Sequence, residues 1–204
     1  MTRAPGDGPA ARQRKPVAMP IAKTSSPRLP ATRLHVCPLA TLHDTIASSG
    51  AAHLITVINA QTMPDTPPVI EPRRHLKIAV NDIAAPQPGL IHPNEVHIDE
   101  LLRYARDWDH GGPLVVHCWA GISRSTAAAF ITLCAVNEPG AEAAIAQALR
   151  AASSTATPNS LMVELADDAL GRDGRMVDAV LDIGQGETAM CGIPFSLPSR
   201  FRPI

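Results

Sequence analysis

Cys118, Gly121, Arg124 and Ser125 crowd into the stretch "VVHCWAGISRST" (115–126), where an apolar run ends on His117 and Cys118 and five residues separate the thiol from the guanidinium. A cysteine thiolate is an intrinsically strong nucleophile, and an arginine fork can take two phosphate oxygens in parallel. If the apolar run is a strand and Arg124 opens a helix, the first N–H groups of that helix are unpaired and carry partial positive charge. Such a junction is an anion socket. Gly121 lets the turn bring its N–H groups onto one point. A thiol at the mouth of this socket, beside an arginine, meets the conditions that favour the thiolate. The chemistry expected is in-line attack of sulfur on a bound phosphoryl group, with the loop N–H groups and Arg124 stabilising its oxygens. It requires neither a metal nor a cofactor.

A leaving phenolate or alkoxide also needs a proton. Four carboxyls qualify by position: Asp82, which follows "HLKIAV" and opens a Pro-containing loop, and Asp99, Asp107 and Asp109, on or just after the intervening helix. The last three fit a solvated helix face, so Asp82 leads.

The elements that must hold these groups are legible as alternating patterns. "RLHVC" (33–37), "HLITVIN" (53–59), "HLKIAV" (75–80) and "PLVVHC" (113–118) read as strands, nearly continuous in apolar residues as in a sheet covered on both faces. "TLHDTIASS" (41–49) reads as a short helix, and Pro93 opens another in which Ile98, Leu101, Leu102, Ala105 and Trp108 recur at helical spacing, with Gly111 and Gly112 as its stop. Residues 60–74 and 81–92 are loops by their Pro and Gly content. After the cysteine turn the pattern is helical at 124–136, about 140–151, 158–170 and 173–182. In the third of these, Thr157 is the expected N-cap and Pro158 a first-turn residue. Strands alternating with helices, then a helical run, predict an α/β fold: a mainly parallel central sheet of four to five strands flanked by helices, with a helical C-terminal half.

Composition bounds the rest. The 204 residues, 45% of them hydrophobic but only 3% aromatic, fit one domain with an aliphatic core. Residues 1–32, with six Pro and no periodicity, read as a flexible basic leader; 33–185 read as the catalytic domain and 186–204 as an extended C-terminal tail. Seven of the 18 Lys and Arg fall within residues 1–33 against the single Asp7, so the remainder carries 11 basic and 18 acidic residues. An acidic body lacks the basic footprint of a nucleic-acid binder. No apolar window is long enough for a membrane span, and no export signal is evident. Cys37, Cys118, Cys134 and Cys191 lie far apart without a CxxC pair, which fits neither a zinc site nor a disulfide frame and predicts a cytoplasmic protein. Cys37, Cys134 and Cys191 are assigned to core packing or chance.

The string "VHCWAGISRST" resembles the active-site loop of cysteine-dependent protein tyrosine phosphatases, above all the small dual-specificity branch. The resemblance covers roughly residues 33–170. It implies that Cys118 forms a thiophosphate, that Arg124 clamps the phosphate, that Ser125 hydrogen-bonds the sulfur and helps its departure, and that His117 orients the loop. Asp82 lies where such phosphatases keep a mobile acid. "TPNSLMVEL" (157–165) resembles the segment whose asparagine, here Asn159, braces the cysteine loop.

Substrate class depends on the socket's surroundings. Trp119, Ala120, Gly121, Ile122 and Ser123 line it without a Lys or Arg, whereas the phosphoinositide-directed branch carries loop lysines. A singly phosphorylated partner follows, a phosphorylated protein or small phosphate ester, with phosphotyrosine first. Against this, Arg73 and Arg74 could lie near the mouth from the preceding loop, although two arginines after a Pro more often face solvent. The rival functions are a dual-specificity or phosphoinositide phosphatase, a sulfurtransferase, and a silent phosphate-binding module. The last is marked by loss of the cysteine, arginine or acid, and all three residue types are present.

Overall fold

The strands are built from runs in which nearly every side chain is apolar, and their alternation divides the core into two layers. The computed structural model describes residues 1–2, 32–108 and 112–203. The basic leader from residue 3 to 31, Asp109 and Gly111 lie outside the described residues. Five strands form one sheet in the order β3-β2-β4-β1-β5: β1 (Arg33–Pro38), β2 (His53–Ile58), β3 (His75–Ala79), β4 (Leu114–Cys118) and β5 (Phe195–Pro198). The first four pair in parallel; β5 runs antiparallel on β1, so the extended C-terminal stretch supplies the edge strand. Leu197 of β5 is buried there, and Ser199 N–H donates to Thr32 O, extending the seam beyond the strand.

Successive residues point to opposite faces. Leu34, Val36, Ile55, Val57, Ile78, Val80, Leu114 and Val116 pack on the larger layer. That layer holds α2 (Glu95–Asp107), α3 (Arg124–Val136), α4 (Glu142–Ala152), α5 (Ser160–Leu170) and α6 (Arg175–Asp182). Cys37, Leu54 and Val115 face the smaller layer with Leu42 and Ile46 of α1 (Leu42–Ser49) and Ile70 of the following loop. All six residues of β2 are buried, as its place between two strands and two layers requires. Helix α3 is the central helix, buried from Arg124 to Cys134, and its Ala127, Ala128 and Ala129 let its backbone approach the sheet closely.

Two helix starts differ from expectation. Helix α2 begins at Glu95, not Pro93, because the Asn94 side chain accepts from His97 N–H while the His97 ring accepts from Asn94 N–H, a reciprocal capping box. Helix α5 is capped by Asn159, which accepts from Met162 N–H at 3.1 Å, not by Thr157. Thr157 is committed elsewhere: its N–H donates to Ile122 O at 3.0 Å and its hydroxyl accepts from Gly186 N–H at 3.1 Å. Beyond α5, Arg172 forms a buried ion pair with Glu142 at 2.9 Å and donates to Cys134 O at 2.7 Å, tying the helical half to the end of α3.

Parallel pairing puts the carboxyl ends of β1, β3 and β4 on one edge of the sheet. That edge is where open α/β sheets hold their ligands.

Candidate active site

Cys118 is the last residue of β4, and α3 starts at Arg124, so Trp119–Ser123 form the predicted strand–turn–helix junction. Gly121 is the residue the turn cannot exchange. Its φ is +73°, and a Cβ there would stand 2.7 Å from Pro38 N and 3.0 Å from Cys37 C, at the end of β1. The loop is held on its outer side by three backbone bonds: Leu39 N–H to Trp119 O at 3.1 Å, Gly192 N–H to Ala120 O at 2.8 Å, and the Thr157 to Ile122 bond. With its carbonyls tied outward, Gly121 N–H turns inward and donates to Cys118 Sγ at 3.3 Å.

Cys118 is buried, and its sulfur also lies 3.1 Å from Ser125 Oγ. Ser123, at the N-cap of α3, makes no capping bond; its hydroxyl donates to Asp82 Oδ1 at 2.6 Å instead. The first-turn N–H groups of α3 are therefore left without that cap, as an anion socket needs.

Arg124 is anchored by a 2.8 Å bond from Nη1 to Val80 O, just past β3. Its Nε is buried without a hydrogen-bond partner and stands 3.6 Å from Asp82 Oδ2. A buried guanidinium donor lacking a hydrogen bond is costly, and a phosphate oxygen in the socket would satisfy it.

Asp82 stands at the neck of the loop after β3. Asn81 closes that neck, its N–H donating to Ile91 O at 2.7 Å and its Oδ1 accepting from Ile91 N–H at 2.9 Å. The Asp82 carboxylate accepts from Ser123 and, at 3.0 Å, from Asn159 Nδ2. Asn159 thus touches the Asp82 loop, with a further contact to Ile83 O at 3.4 Å. The cysteine-loop contact expected of Asn159 falls to Thr157, two residues earlier, whose N–H holds Ile122 O. Asp99 and Asp107 are exposed on α2, and Asp107 faces a hollow with His53, Arg74 and Tyr104.

No family model matches the chain, and no curated protein matches it. Solved structures do. Human DUSP28 superposes with a TM-score of 0.51 at 19% identity, over 69% of this chain and 94% of that one. A mouse dual specificity phosphatase complexed with zinc tungstate superposes with a TM-score of 0.52 at 17% identity, over 78% of this chain and 98% of that one. The chain has the dual-specificity phosphatase fold.

Within this phosphatase fold, two alternatives that the sequence left open are decided. Arg73 and Arg74 do not approach the socket: they precede β3 and line the hollow with His53 and Tyr104, at the amino end of the strands. A loop before a parallel strand enters at the edge opposite the one where Cys118 leaves. Cys191 is exposed, not core, beside Trp119 and Ala120 in an apolar groove completed by Leu39, Ala40 and Met190. Cys37 and Cys134 are buried as expected; burial pushes the Cys37 thiol up to about 11, with Cys118 nearby adding to the rise, and holds Cys134 well above the usual range.

His117 lies wholly inside the smaller layer. Burial holds it neutral, with its proton affinity lowered to about 4. Sequence reasoning missed its partner Thr56 and, on the other side of that hydroxyl, His75. The signal available was a threonine inside the otherwise apolar "LITVI" of β2, since a buried hydroxyl must find a partner.

Proposed function

We propose that the protein is a phosphomonoester hydrolase, a protein tyrosine phosphatase acting through a Cys118 thiophosphate. The observation that carries this is the convergence on one socket of a thiol whose sulfur accepts from Gly121 N–H and lies 3.1 Å from Ser125 Oγ, a buried arginine with an unsatisfied Nε, and a carboxyl 3.6 Å from that Nε. In the first step Sγ attacks phosphorus in line, the P–O ester bond breaks, and Asp82 gives its proton to the leaving oxygen. The loop N–H groups and Arg124 hold the three equatorial oxygens as charge shifts toward them. In the second step water attacks phosphorus, Asp82 takes its proton, and the S–P bond breaks, with the Ser125 hydroxyl donating to the departing thiolate. Ser123 and Asn159 keep the carboxyl over the socket.

A singly phosphorylated aryl group suits the rim. The loop brings no cation except Arg124, Arg73 and Arg74 are at the far edge, and Trp119, 58% exposed, stands beside the apolar groove. Those surroundings favour a phenyl phosphate over a polyphosphorylated headgroup. Among the described residues no helix is long and apolar enough to cross a membrane; a cytoplasmic location suits a thiol that must stay reduced to act.

Hydrolysis of phosphotyrosine peptide, phosphothreonine peptide and phosphoinositide, compared at equal concentration, tests the substrate class. Phosphotyrosine should be turned over fastest, and a preference for either alternative would reject it. Cys118→Ser should abolish turnover of all of them; residual activity in a clean preparation would reject the thiophosphate route.

A further inference from the structure

Behind the cysteine loop, on the α1 face of the sheet, lies a row of buried polar groups that the proposed chemistry does not use. Thr56 Oγ1 is 2.7 Å from His117 Nε2 and 2.7 Å from His75 Nε2. His75 Nδ1 is 2.8 Å from Thr66 Oγ1 in the loop after β2, and His117 Nδ1 is 3.4 Å from Cys118 O. Thr56 and His117 are cross-strand partners in the β2–β4 register, wholly buried, and His75 opens the neighbouring β3.

The three short contacts fit two directions, and the contact to Cys118 O selects one of them. A neutral imidazole has one donor and one acceptor, and a threonine hydroxyl has a single proton. A carbonyl can only accept, so His117 Nδ1 carries the proton that meets Cys118 O. His117 Nε2 is then an acceptor and receives the Thr56 hydroxyl proton. Thr56, its proton used, accepts from His75 Nε2–H. His75 Nδ1 is thereby an acceptor and takes the Thr66 proton. Every nitrogen and hydroxyl in the row is satisfied with both rings neutral, and burial holds His75 neutral as it does His117, with both proton affinities lowered to about 4.

We propose that Thr66, His75, Thr56 and His117 form a directional hydrogen-bond relay that fixes the His117 tautomer and so holds the Cys118 carbonyl, making Thr56 and His75 positioning residues for the nucleophile loop. The relay rests on the phosphatase reading for its consequence in turnover, but not for its existence. Its source is tertiary: the Pro-rich loop after β2 delivers Thr66 to His75 at the start of β3. Aligned hydrogen bonds in a buried site polarise one another, and an unmatched member leaves its neighbour with two acceptors or two donors face to face.

The test combines ring ¹⁵N NMR with kinetics on the full chain. Wild-type protein should show His117 protonated at Nδ1 and His75 at Nε2. Thr56→Val removes the hydroxyl at nearly constant shape; it should release His117 from its single tautomer and lower kcat for an aryl phosphate about tenfold with KM little changed, a loss of about 1.4 kcal/mol, and Thr56→Ser should restore both. Thr66→Val, at the half-buried end of the row, should change only the His75 tautomer, and it supplies the decision if Thr56→Val does not fold. Opposite tautomers in the wild type, or a His75 tautomer unmoved by Thr66→Val, would overturn the relay. Unchanged kcat in a folded Thr56→Val would overturn its positioning role. A wild type that hydrolyses no phosphomonoester refutes the function proposed above, while the tautomers still decide the relay.

Discussion

Replacing Gly121 by alanine puts a methyl group where neither the backbone conformation nor the neighbouring strand has room. At φ +73° an L-residue pays roughly 1–2 kcal/mol. The added Cβ would also stand 2.7 Å from Pro38 N and 3.1 Å from Pro38 Cδ, so either β1 or the loop must move. Overpacking of this kind costs about 1–3 kcal/mol, giving about 2–5 kcal/mol in all. At about 2–4 °C per kcal/mol for a chain of this size, the melting temperature should drop by about 4–20 °C. Because Gly121 N–H is the donor to Cys118 Sγ, the loop's shift also moves a group that must meet the thiolate, and a displacement approaching 1 Å costs on the order of 100-fold in rate. Thermal unfolding followed by circular dichroism, and kcat/KM on an aryl phosphate at a temperature where both proteins are folded, would measure the two effects. Gly171→Ala is the control: its φ is +60° but nothing lies within 4 Å of the added Cβ, so it should lose about 1 kcal/mol and no activity. A Gly121→Ala protein no less stable than Gly171→Ala, with wild-type turnover, would refute the steric account of the loop.

Asp82→Ala should slow alkyl and unactivated phenyl phosphates far more than a nitrophenyl ester, whose leaving group needs no proton; equal slowing across a leaving-group series would place the acid elsewhere. Arg172→Met removes the buried partner of Glu142 and leaves its carboxylate only Gly140 N–H and, at 4.0 Å, Arg175, an expected loss of up to about 3 kcal/mol by urea denaturation, whereas removing Arg172 and Glu142 together should cost less. His75 and His117, facing each other across Thr56 with Lys77 as the nearby fixed charge on His75, take up protons near 6.5 when unfolded but only near 4 in the fold, chiefly because they are buried. The unfolded chain therefore binds more protons between those values, so stability should be full above about 6.5, fall as pH is lowered toward 4, and stop falling from this source below that. Urea midpoints that stay flat from pH 7 to 4, or a Thr56→Val, His75→Asn double variant with the wild-type slope, would contradict the buried neutral rings.

The sequence by itself determined the strand–turn–helix junction around Cys118, because an apolar run, a glycine and a helix start are local signals and the socket is made of consecutive residues. The same local signals picked out, among the described residues, the first four strands and six α-helices. Tertiary structure decided everything that depends on which edge of the sheet a loop reaches. Asp82 and Arg124 meet because β3 and β4 both end at that edge; Arg73 and Arg74 miss it because they stand before a strand and not after one. The resemblance anticipated Asn159 near the site, but only the fold turned it to Asp82 and gave the loop contact to Thr157. Thr56 and His75 come together with His117 only because β2 lies between β3 and β4, an order that nothing in the spacing of residues encodes. Local pattern settles what a short segment can be, whereas the pairing of distant strands settles what each side chain can touch.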